Sequence, residues 1–275
     1  MNPPIDELED WLEATLPKSR RNCLLDIGAY RGDFSLGCKD RGLCQTAHLF
    51  EPNPKNQIIL ESLIQKNPEF TLHNLALSDT TGESEFQCSE DCATGSLLNY
   101  QKADNLNLTT FTVKHLPLDD WWKNQDCPQV GLVKVDTQGH DLNVLKGGCE
   151  LIRRHRPWLI IEIIFVPLYS NQTSLTGVLQ WAESQGYHFG NLFNDHFTNQ
   201  GLIAFSDLVL IPTEDMPKSI EGFPARPSPK LLQHEIKQLH QICAERLELI
   251  ERLDSEAKRL TRLVSEHNPP PSPTP

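Results

Sequence analysis

Three segments of this chain repeat one order: an apolar run, then a carboxylate, then residues that favour a turn or the start of a helix. The segments are residues 24–32, 49–54 and 133–141, and their carboxylates are Asp26, Glu51 and Asp136. Continuous apolar runs are typical of strands that are buried on both faces of a parallel sheet. Because the carboxyl ends of parallel strands meet at one edge of a sheet, this order predicts a crevice for a polar, nucleoside-like ligand.

Strand-like runs alternate with helical patterns through most of the chain, and this alternation is typical of an α/β fold with a doubly wound, mostly parallel sheet. Strands are predicted at residues 23–27, 46–50, 70–77, 130–136, 157–164, 187–193 and 207–211, the last two as an antiparallel pair. Helices are predicted at residues 6–16, 32–41, 54–67, 173–185 and from 137 to about 154. Residues 80–117 look like a β-rich insertion, and Asp119 and Asp120 are predicted to cap a helix leading into the fourth strand.

The three motifs resemble, in the same order, those of the FkbM family of S-adenosylmethionine-dependent methyltransferases. The family patterns D-[IV]-G-A-N-x-G, F-E-P-x-P and K-[IV]-D-x-[EQ]-G-x-[DE] correspond to residues 26–32, 50–54 and 134–141, and V-L-x-G follows at 144–147. The resemblance covers about residues 20–212. It implies a Rossmann-like class I methyltransferase fold, whose seven-stranded sheet has one reversed strand, and S-adenosylmethionine as the cofactor.

The resemblance also assigns cofactor-binding roles to residues near the ends of the strands. The turn that contains Gly28 and Gly32 would face the amino-acid end of the cofactor, and Tyr30 stands where asparagine is usual in the family. Glu51, at the end of the second strand, is placed to accept hydrogen bonds from both ribose hydroxyls. The predicted cofactor-binding set is Asp26, Gly28, Tyr30, Gly32, Glu51, Asn53, Asn74 and Asp136.

The residues by themselves leave other interpretations open. The first turn could be a tight strand-to-helix connection without a ligand, or part of an NAD-dependent oxidoreductase. A dinucleotide site requires G-x-G-x-x-G, whereas this chain has Gly28-x-x-x-Gly32, and the side chain of Tyr30 would obstruct a pyrophosphate. A third alternative is a non-catalytic scaffold built on a methyltransferase-like domain, against which the intact carboxylates of the three motifs argue.

The implied activity is methyl transfer to oxygen, with a hydroxyl of a sugar, a glycan or a secondary metabolite as the acceptor. A hydroxyl is too weak an acid to attack unaided, so a base must take its proton. Asp136 ends the fourth strand, His140 is the type of side chain that acts as a base near neutral pH, and Glu162 matches the acid that ends the family's fifth strand. These three residues are the predicted catalytic set. A divalent cation held by them is an alternative that no ligand spacing demands.

Composition limits the partners and the location of the chain. Its formal net charge is −12, and it contains no basic stripe with interleaved aromatic residues, so nucleic-acid binding is not expected. The start of the chain lacks a secretory signal, and no 18 consecutive apolar residues occur, so we expect a cytoplasmic protein that does not enter a membrane. The eight cysteines form no Cys-x-x-Cys pair and are predicted to be reduced thiols.

The two ends of the chain differ in character from its middle. Residues 230–267 carry two interleaved apolar series with seven-residue spacing, one through Ile236 and one through Leu239, which predict a coiled-coil helix. The segments that we predict are an N-terminal helix (1–19), the methyltransferase domain (20–212), a proline-rich linker (213–229), the coiled-coil helix (230–267) and a disordered tail (268–275).

We expect residues 230–267 to assemble the chain into a homo-oligomer, a parallel dimer before a trimer, because such a helix alone would expose a continuous apolar stripe to water. Light scattering should show an oligomer for the full chain and a monomer for a chain that ends at Pro229. A monomeric full chain would favour a helix folded back on its own catalytic domain. A shortened chain that stays equally oligomeric would also contradict the prediction.

Overall fold

The computed structural model describes residues 7–89, 95–101, 107–125 and 129–217 of the chain. Within these residues the helices are α1 (Leu8–Thr15), α2 (Asp33–Asp40), α3 (Pro54–Lys66), α4 (Leu118–Lys123), α5 (Asp141–Gly147), α6 (Cys149–His155) and α7 (Leu175–Ser184). The strands are β1 (Cys23–Ile27), β2 (Thr46–Phe50), β3 (Phe70–His73), β4 (Ala76–Ser78), β5 (Gly82–Cys88), β6 (Gly95–Ser96), β7 (Thr109–Pro117), β8 (Val130–Val135), β9 (Trp158–Ile164), β10 (Tyr187–Phe197) and β11 (Ile203–Pro212). The predicted coiled coil and tail, and most of the predicted linker, lie outside the described residues.

Seven of the described strands form one sheet, in the order β10-β11-β9-β8-β1-β2-β3. β1 pairs in parallel with β2 on one side and with β8 on the other, and β8 pairs in parallel with β9. β11 runs antiparallel to both of its neighbours, β9 and β10. The predicted doubly wound, mostly parallel sheet with one reversed strand is therefore confirmed. This order places the carboxyl ends of β2, β1 and β8 side by side.

Alternate residues of the central strands are buried in two cores, one on each face of this sheet. Leu25 and Ile27 of β1 belong to a core that also contains side chains of α4, α5, α6 and α7. Leu24 belongs to a second core, which contains side chains of α1, α2 and α3. Because helices cover both faces, the strands are apolar on both, as their unbroken apolar runs predict. The predicted N-terminal helix, α1, packs on the sheet through the buried side chains of Leu8 and Leu12.

The predicted third strand, residues 70–77, is wrong in its extent, because the structure divides it between two sheets. β3 is the edge strand of the large sheet, and the chain turns after it through a hydrogen bond of 2.9 Å from Leu75 N to His73 O. β4 pairs instead with β7, in a second sheet of order β4-β7-β5-β6 among the described residues. An apolar run does not show where a chain passes from one sheet to another. The β-rich insertion predicted at 80–117 is confirmed by this second sheet.

The single helix predicted from residue 137 to about residue 154 is also wrong, because the structure has two helices, α5 and α6, that meet at Gly148. A Cβ atom at Gly147 would lie 1.9 Å from the carbonyl oxygen of Ser78, so only glycine allows α5 to approach β4 this closely.

None of the helices in the described ranges is long and apolar enough to cross a membrane.

The N-terminus of α6 is capped by a side chain from another helix. Its N-cap residue, Gly148, has no side chain that could accept a hydrogen bond from the first N–H groups. Asp119 of α4 supplies the acceptor: its Oδ2 accepts from Glu150 N at 2.9 Å and its Oδ1 accepts from Leu151 N at 2.8 Å. Asp119 therefore caps α6, and the prediction that it caps a helix leading into the fourth strand is wrong.

We expect Asp119→Ala to lower the free energy of unfolding by about 1–2 kcal/mol, because two N–H groups of α6 lose their acceptor. For a domain of this size the melting temperature should fall by about 4 °C. Asp120→Ala is the matched control, since the neighbouring Asp120 carboxylate is exposed and the substitution changes the charge equally. Thermal denaturation of both variants tests this prediction. Equal decreases in melting temperature would show that the cap contributes nothing to stability.

Candidate active site

A cavity of about 730 Å³, open to solvent, lies at the edge of the large sheet where β1, β2 and β8 end. Open α/β sheets bind their ligands at this edge. The second sheet forms part of the wall, since β4, β5 and β6 all contribute residues to it. The residues that line the cavity are Ile27, Gly28, Tyr30, Phe50, Glu51, Pro52, Asn53, Asn56, Leu75, Ala76, Leu77, Phe86, Gly95, Leu97, Asp136, Thr137, Gln138 and His140.

The turn after β1 runs directly against the end of β8. Gly28 has a φ angle of +83°, and a Cβ atom there would lie 1.9 Å from the carbonyl oxygen of Asp136. The N–H groups of Gly28 and Ala29 both donate to the carbonyl oxygen of Phe50 at 3.0 Å, which ties the turn to the end of β2 as well. Only glycine fits this position, and the ends of three strands are thereby held together around the cavity.

Glu51 is a buried carboxylate that binds the loops on both sides of it. Its Oε1 accepts a hydrogen bond of 2.8 Å from Asn53 N, and its Oε2 accepts one of 2.9 Å from Tyr30 N. Burial raises the pKa of Glu51 to about 7, although these hydrogen bonds act to lower it. Each carboxylate oxygen has a second lone pair. Glu51 therefore keeps acceptor capacity for donors on a ligand in the cavity.

Asn53 and Asn56 carry amides to the same wall. The Oδ1 atom of Asn53 caps α3 by accepting from Lys55 N at 3.0 Å. Its Nδ2 atom is buried and has no hydrogen-bond partner within the described residues. Asn56 lies one helical turn further along α3 and forms a side-chain hydrogen bond with Glu51. An unpaired buried donor beside a cavity indicates a site that a polar ligand can satisfy.

Three of the predicted cofactor-binding residues do not line the cavity. Gly32 packs against α3, where a Cβ atom would lie 2.4 Å from Cδ2 of Leu63. Asn74 follows β3 and is exposed. Asp26 is buried in β1 and accepts a hydrogen bond of 2.6 Å from Ser35 Oγ, and its burial raises its pKa. Gly32 and Asp26 thus lie outside the cavity and support the turn after β1. The structure does not bring Asn74 to the site.

Lys134 and Asp136 of the third motif form an ion pair of 2.7 Å. Burial acts against the charge of Lys134, but the nearby carboxylates of Asp136 and Asp26 raise its pKa. Burial likewise acts to raise the pKa of Asp136, but the charge of Lys134 and hydrogen bonds from Lys134 and Gln138 lower it. Asp136 is therefore ionised at neutral pH, at the wall of the cavity.

Glu162 of β9 is the second carboxyl group at this edge. The Nε2 atom of Gln138 lies 2.6 Å from Glu162 Oε2 and 3.2 Å from Asp136 Oδ1, so one amide contacts both carboxyl groups. Burial, followed by the negative charges of Asp136 and Asp141, raises the pKa of Glu162 well above its ordinary value. The pair therefore has one ionised member, Asp136, and one protonated member, Glu162.

His140 lines the cavity but is engaged elsewhere. Its Nε2 atom lies 2.9 Å from Oγ of Ser78 in β4, its Nδ1 atom is buried without a partner among the described residues, and burial lowers its pKa. Neither ring nitrogen faces a free approach for an acceptor hydroxyl. In the part of the chain that the structure describes, no three His, Cys, Asp or Glu side chains are grouped as metal ligands. Asp136, His140 and Glu162 are thus not brought together as a cation site.

Several lining residues received no role from the sequence. Asn56 follows Asn53 at i,i+3 spacing, so the face of α3 that carries one amide also carries the other, and this spacing could have revealed it. Gln138 stands within the third motif but was assigned no function. Phe86 comes from β5 and reaches the cavity only because the second sheet folds against the edge of the first. No local pattern marks it.

Comparison with known proteins gives a family match for this chain. The methyltransferase FkbM domain matches residues 26–189. The hexuronic acid methyltransferase AglP of Haloferax volcanii is 28% identical over 157 residues, which are 56% of this chain and 62% of AglP. The chain therefore spans less than two thirds of the length of that curated relative.

Two solved structures also align with this chain. Methyltransferase FkbM from Methylobacillus flagellatus KT has 20% identity and a TM-score of 0.46, with 69% of this chain and 44% of that chain covered. M. capricolum TrmK, in complex with S-adenosyl-homocysteine, has 13% identity and a TM-score of 0.42, with 92% of this chain and 96% of that chain covered.

The raised pKa of Glu51 predicts a pH dependence of stability. Its folded value of about 7 exceeds the ordinary value of 4.5, so the fold favours the protonated form. This stabilisation is complete below pH 4.5 and is lost as the pH rises through 7. We expect the free energy of unfolding of Glu51→Gln, relative to wild type, to rise by roughly 2–3 kcal/mol between pH 4.5 and 8.

Urea denaturation at several pH values measures this difference. Glu61→Gln, at an exposed position on α3, is the matched control and should show no such trend. A difference between Glu51→Gln and wild type that stays constant with pH would show that Glu51 is not held in its protonated form by the fold.

Proposed function

This chain belongs to the FkbM methyltransferase family, and we propose that it transfers a methyl group from S-adenosylmethionine to an oxygen of a sugar or glycan. The observation that carries the proposal is the Glu51 carboxylate, which the N–H groups of Tyr30 and Asn53 hold at the end of β2, beside the cavity. An acid in this position suits the two hydroxyls of a ribose.

The residues of the cavity fit S-adenosylmethionine. Gly28 and Glu51 both line the cavity; the turn at Gly28 would face the amino-acid end of the cofactor, and Glu51 would accept a hydrogen bond from its ribose. The buried, unpaired Nδ2 atom of Asn53 is a further donor at the same wall. The apolar side chains of Leu77 and Phe86 also line the cavity and would suit the adenine base.

S-adenosylmethionine, when bound, supplies a methyl group that an oxygen can take by in-line displacement at the methyl carbon, with the cofactor's sulfur as the leaving group. Asp136 orients the acceptor hydroxyl by accepting its hydrogen bond, and this positioning lowers the barrier. As the new bond to oxygen forms, the hydroxyl proton passes to the Asp136 carboxylate. Because the pKa of Asp136 is low, the proton leaves during methyl transfer and not before it. Asp136 is favoured over His140 in this role because Nε2 of His140 contacts Ser78 and its Nδ1 atom is buried.

A sugar acceptor is supported by the relative AglP, whose name assigns it to hexuronic acid. Uronic acids offer two kinds of oxygen, hydroxyl and carboxylate. Transfer to a hydroxyl requires a base, which the ionised Asp136 provides, whereas transfer to a carboxylate requires none. The presence of Asp136 at the cavity therefore favours a hydroxyl as the acceptor.

Calorimetry and methyl incorporation test the proposal. We expect the chain to bind S-adenosylhomocysteine and not NAD, and to transfer labelled methyl groups to uronic-acid oligosaccharides in a form that resists mild alkali, as ethers do. Asp136→Asn should lower kcat by about a hundredfold or more while changing the Kd for S-adenosylhomocysteine by less than about threefold.

His140→Ala tests the rival base, and it should affect cofactor affinity more than kcat because His140 lines the cavity. Alkali-labile methylation would show that the acceptor is the carboxylate. Binding of NAD instead of S-adenosylhomocysteine would contradict the proposed function. Wild-type turnover in Asp136→Asn would contradict the role of Asp136.

A further inference from the structure

The amide of Gln138 connects the carboxyl pair to a buried tyrosine. Its Nε2 atom contacts Asp136 and Glu162, at 3.2 and 2.6 Å, and its Oε1 atom accepts a hydrogen bond of 3.1 Å from the hydroxyl of Tyr169. Tyr169 is completely buried, and its hydroxyl also lies 3.3 Å from the hydroxyl of Tyr100. A hydroxyl has one proton to donate. Tyr169 can therefore donate to Gln138 while it accepts from Tyr100.

This contact determines which way the Gln138 amide points. The amide nitrogen has two donors, and the amide oxygen only accepts. In the observed orientation both donors face carboxyl oxygens and the oxygen faces a donor. In the reversed orientation the amide oxygen would face the ionised Asp136, and two acceptors would repel each other. The hydroxyl of Tyr169 favours the first orientation because it supplies the donor that the amide oxygen needs.

The backbone at Gln138 is held in an uncommon conformation. Gln138 has a φ angle of +52°, which costs free energy for a residue with a side chain. Three hydrogen bonds hold the turn: Ser96 Oγ donates to Gln138 O at 2.8 Å, Gly139 N donates to Asp141 Oδ2 at 3.1 Å, and Thr173 N donates to Gly139 O at 2.7 Å. Strain of this kind persists where the surroundings impose it, and it is concentrated at functional sites.

We propose that Gln138 is a positioning residue: oriented by Tyr169, its amide bridges the two carboxyl groups and stabilises the ionised Asp136 that faces the acceptor. The inference rests on the proposed function, in which Asp136 takes the acceptor proton. An amide donor stabilises an ionised Asp136, and its second N–H occupies Oε2 of Glu162. The proton of Glu162 then lies on the other oxygen, where it is available for the hydrogen bond with Asp136.

Charged groups from four other positions act on the pair. They are Asp26 of β1, Lys134 of β8, Asp141 at the start of α5 and Asp207 of β11, with Tyr169 and Tyr100 beyond the amide. The three aspartates oppose a second negative charge on the pair, and Lys134, at 2.7 Å from Asp136, selects which carboxyl group is ionised. Gln138 is the neutral donor that both carboxyl groups share.

Carboxyl ¹³C NMR titration tests the proposal without requiring turnover. The signals of Asp136 and Glu162 are assigned from their loss in Asp136→Asn and Glu162→Gln. In Gln138→Met, which keeps the length of the side chain and removes the donor, the pKa of Asp136 should rise by about one unit. Tyr169→Phe should shift it in the same direction by less. The control Tyr187→Phe removes a different buried hydroxyl, which donates to Pro157 O, and should shift neither signal.

The pH profile of kcat supplies the second readout. Its acid limb should move to higher pH in Gln138→Met and Tyr169→Phe by the same amounts as the NMR signal, with KM for the cofactor unchanged. An unshifted Asp136 signal in folded Gln138→Met overturns the proposal, and so does a shifted signal with an unshifted acid limb. If Gln138→Met fails to fold, the pKa of Asp136 in Tyr169→Phe tests the proposal instead, and an unshifted value overturns it.

The failure of the proposed function would look different from the failure of this inference. A wild-type chain that binds S-adenosylhomocysteine but transfers no methyl group would contradict the function. The NMR titration of the same chain would still show whether the Gln138 amide lowers the pKa of Asp136.

Discussion

The ion pair between Lys134 and Asp136 is the interaction on which the charged side of the site depends. Lys134 is buried in a central strand of the sheet, and an unpaired ammonium ion there would cost several kcal/mol. Asp136 removes that cost, and the same contact holds Asp136 ionised at the wall of the cavity. Glu162, buried beside this negative charge, retains its proton. One buried lysine thus gives two carboxyl groups at one sheet edge different protonation states.

Two further buried carboxyl groups hold the loops around the cavity. Each lowers the free energy of unfolding when it ionises, because burial disfavours its charge. Glu51 accepts hydrogen bonds from N–H groups on either side of the end of β2, and Asp141 does the same for Thr137 and Gly139 after β8. Burial raises the pKa of each to about 7, so each is difficult to ionise in the folded chain. When it is ionised, each carboxylate binds its loop N–H groups through charge-assisted hydrogen bonds, which are stronger than those of a neutral group.

The second sheet enlarges the apolar wall of the cavity. The edge of the large sheet contributes the side chains of Ile27 and Phe50 beside its carboxylates. β4, β5 and β6 bring Leu77, Phe86 and Gly95 against that edge, and α5 is drawn onto β4 at Gly147. The insertion therefore forms part of the site in addition to lengthening the fold. Its strand content was predictable from its residues, but its place against the large sheet was not.

The sequence by itself determined the alternation of strands and helices in the large sheet, apart from the end of β3 and the break between α5 and α6. It also determined the burial of the central strands on both faces and the strand-end position of Glu51 and Asp136, because these follow from local apolar patterns and from the three motifs. Tertiary structure decided which of the predicted residues reach the cavity. Gly32 and Asn74 are close in sequence to residues that line it, yet one packs on α3 and the other faces solvent. His140 lines the cavity but forms a hydrogen bond with Ser78, because β4 lies beside the loop that follows β8. Gln138 contacts both Asp136 and Glu162 because β9 lies beside β8. Contacts between segments that are far apart in the chain depend on how the sheets pack, and no local pattern of residues encodes them.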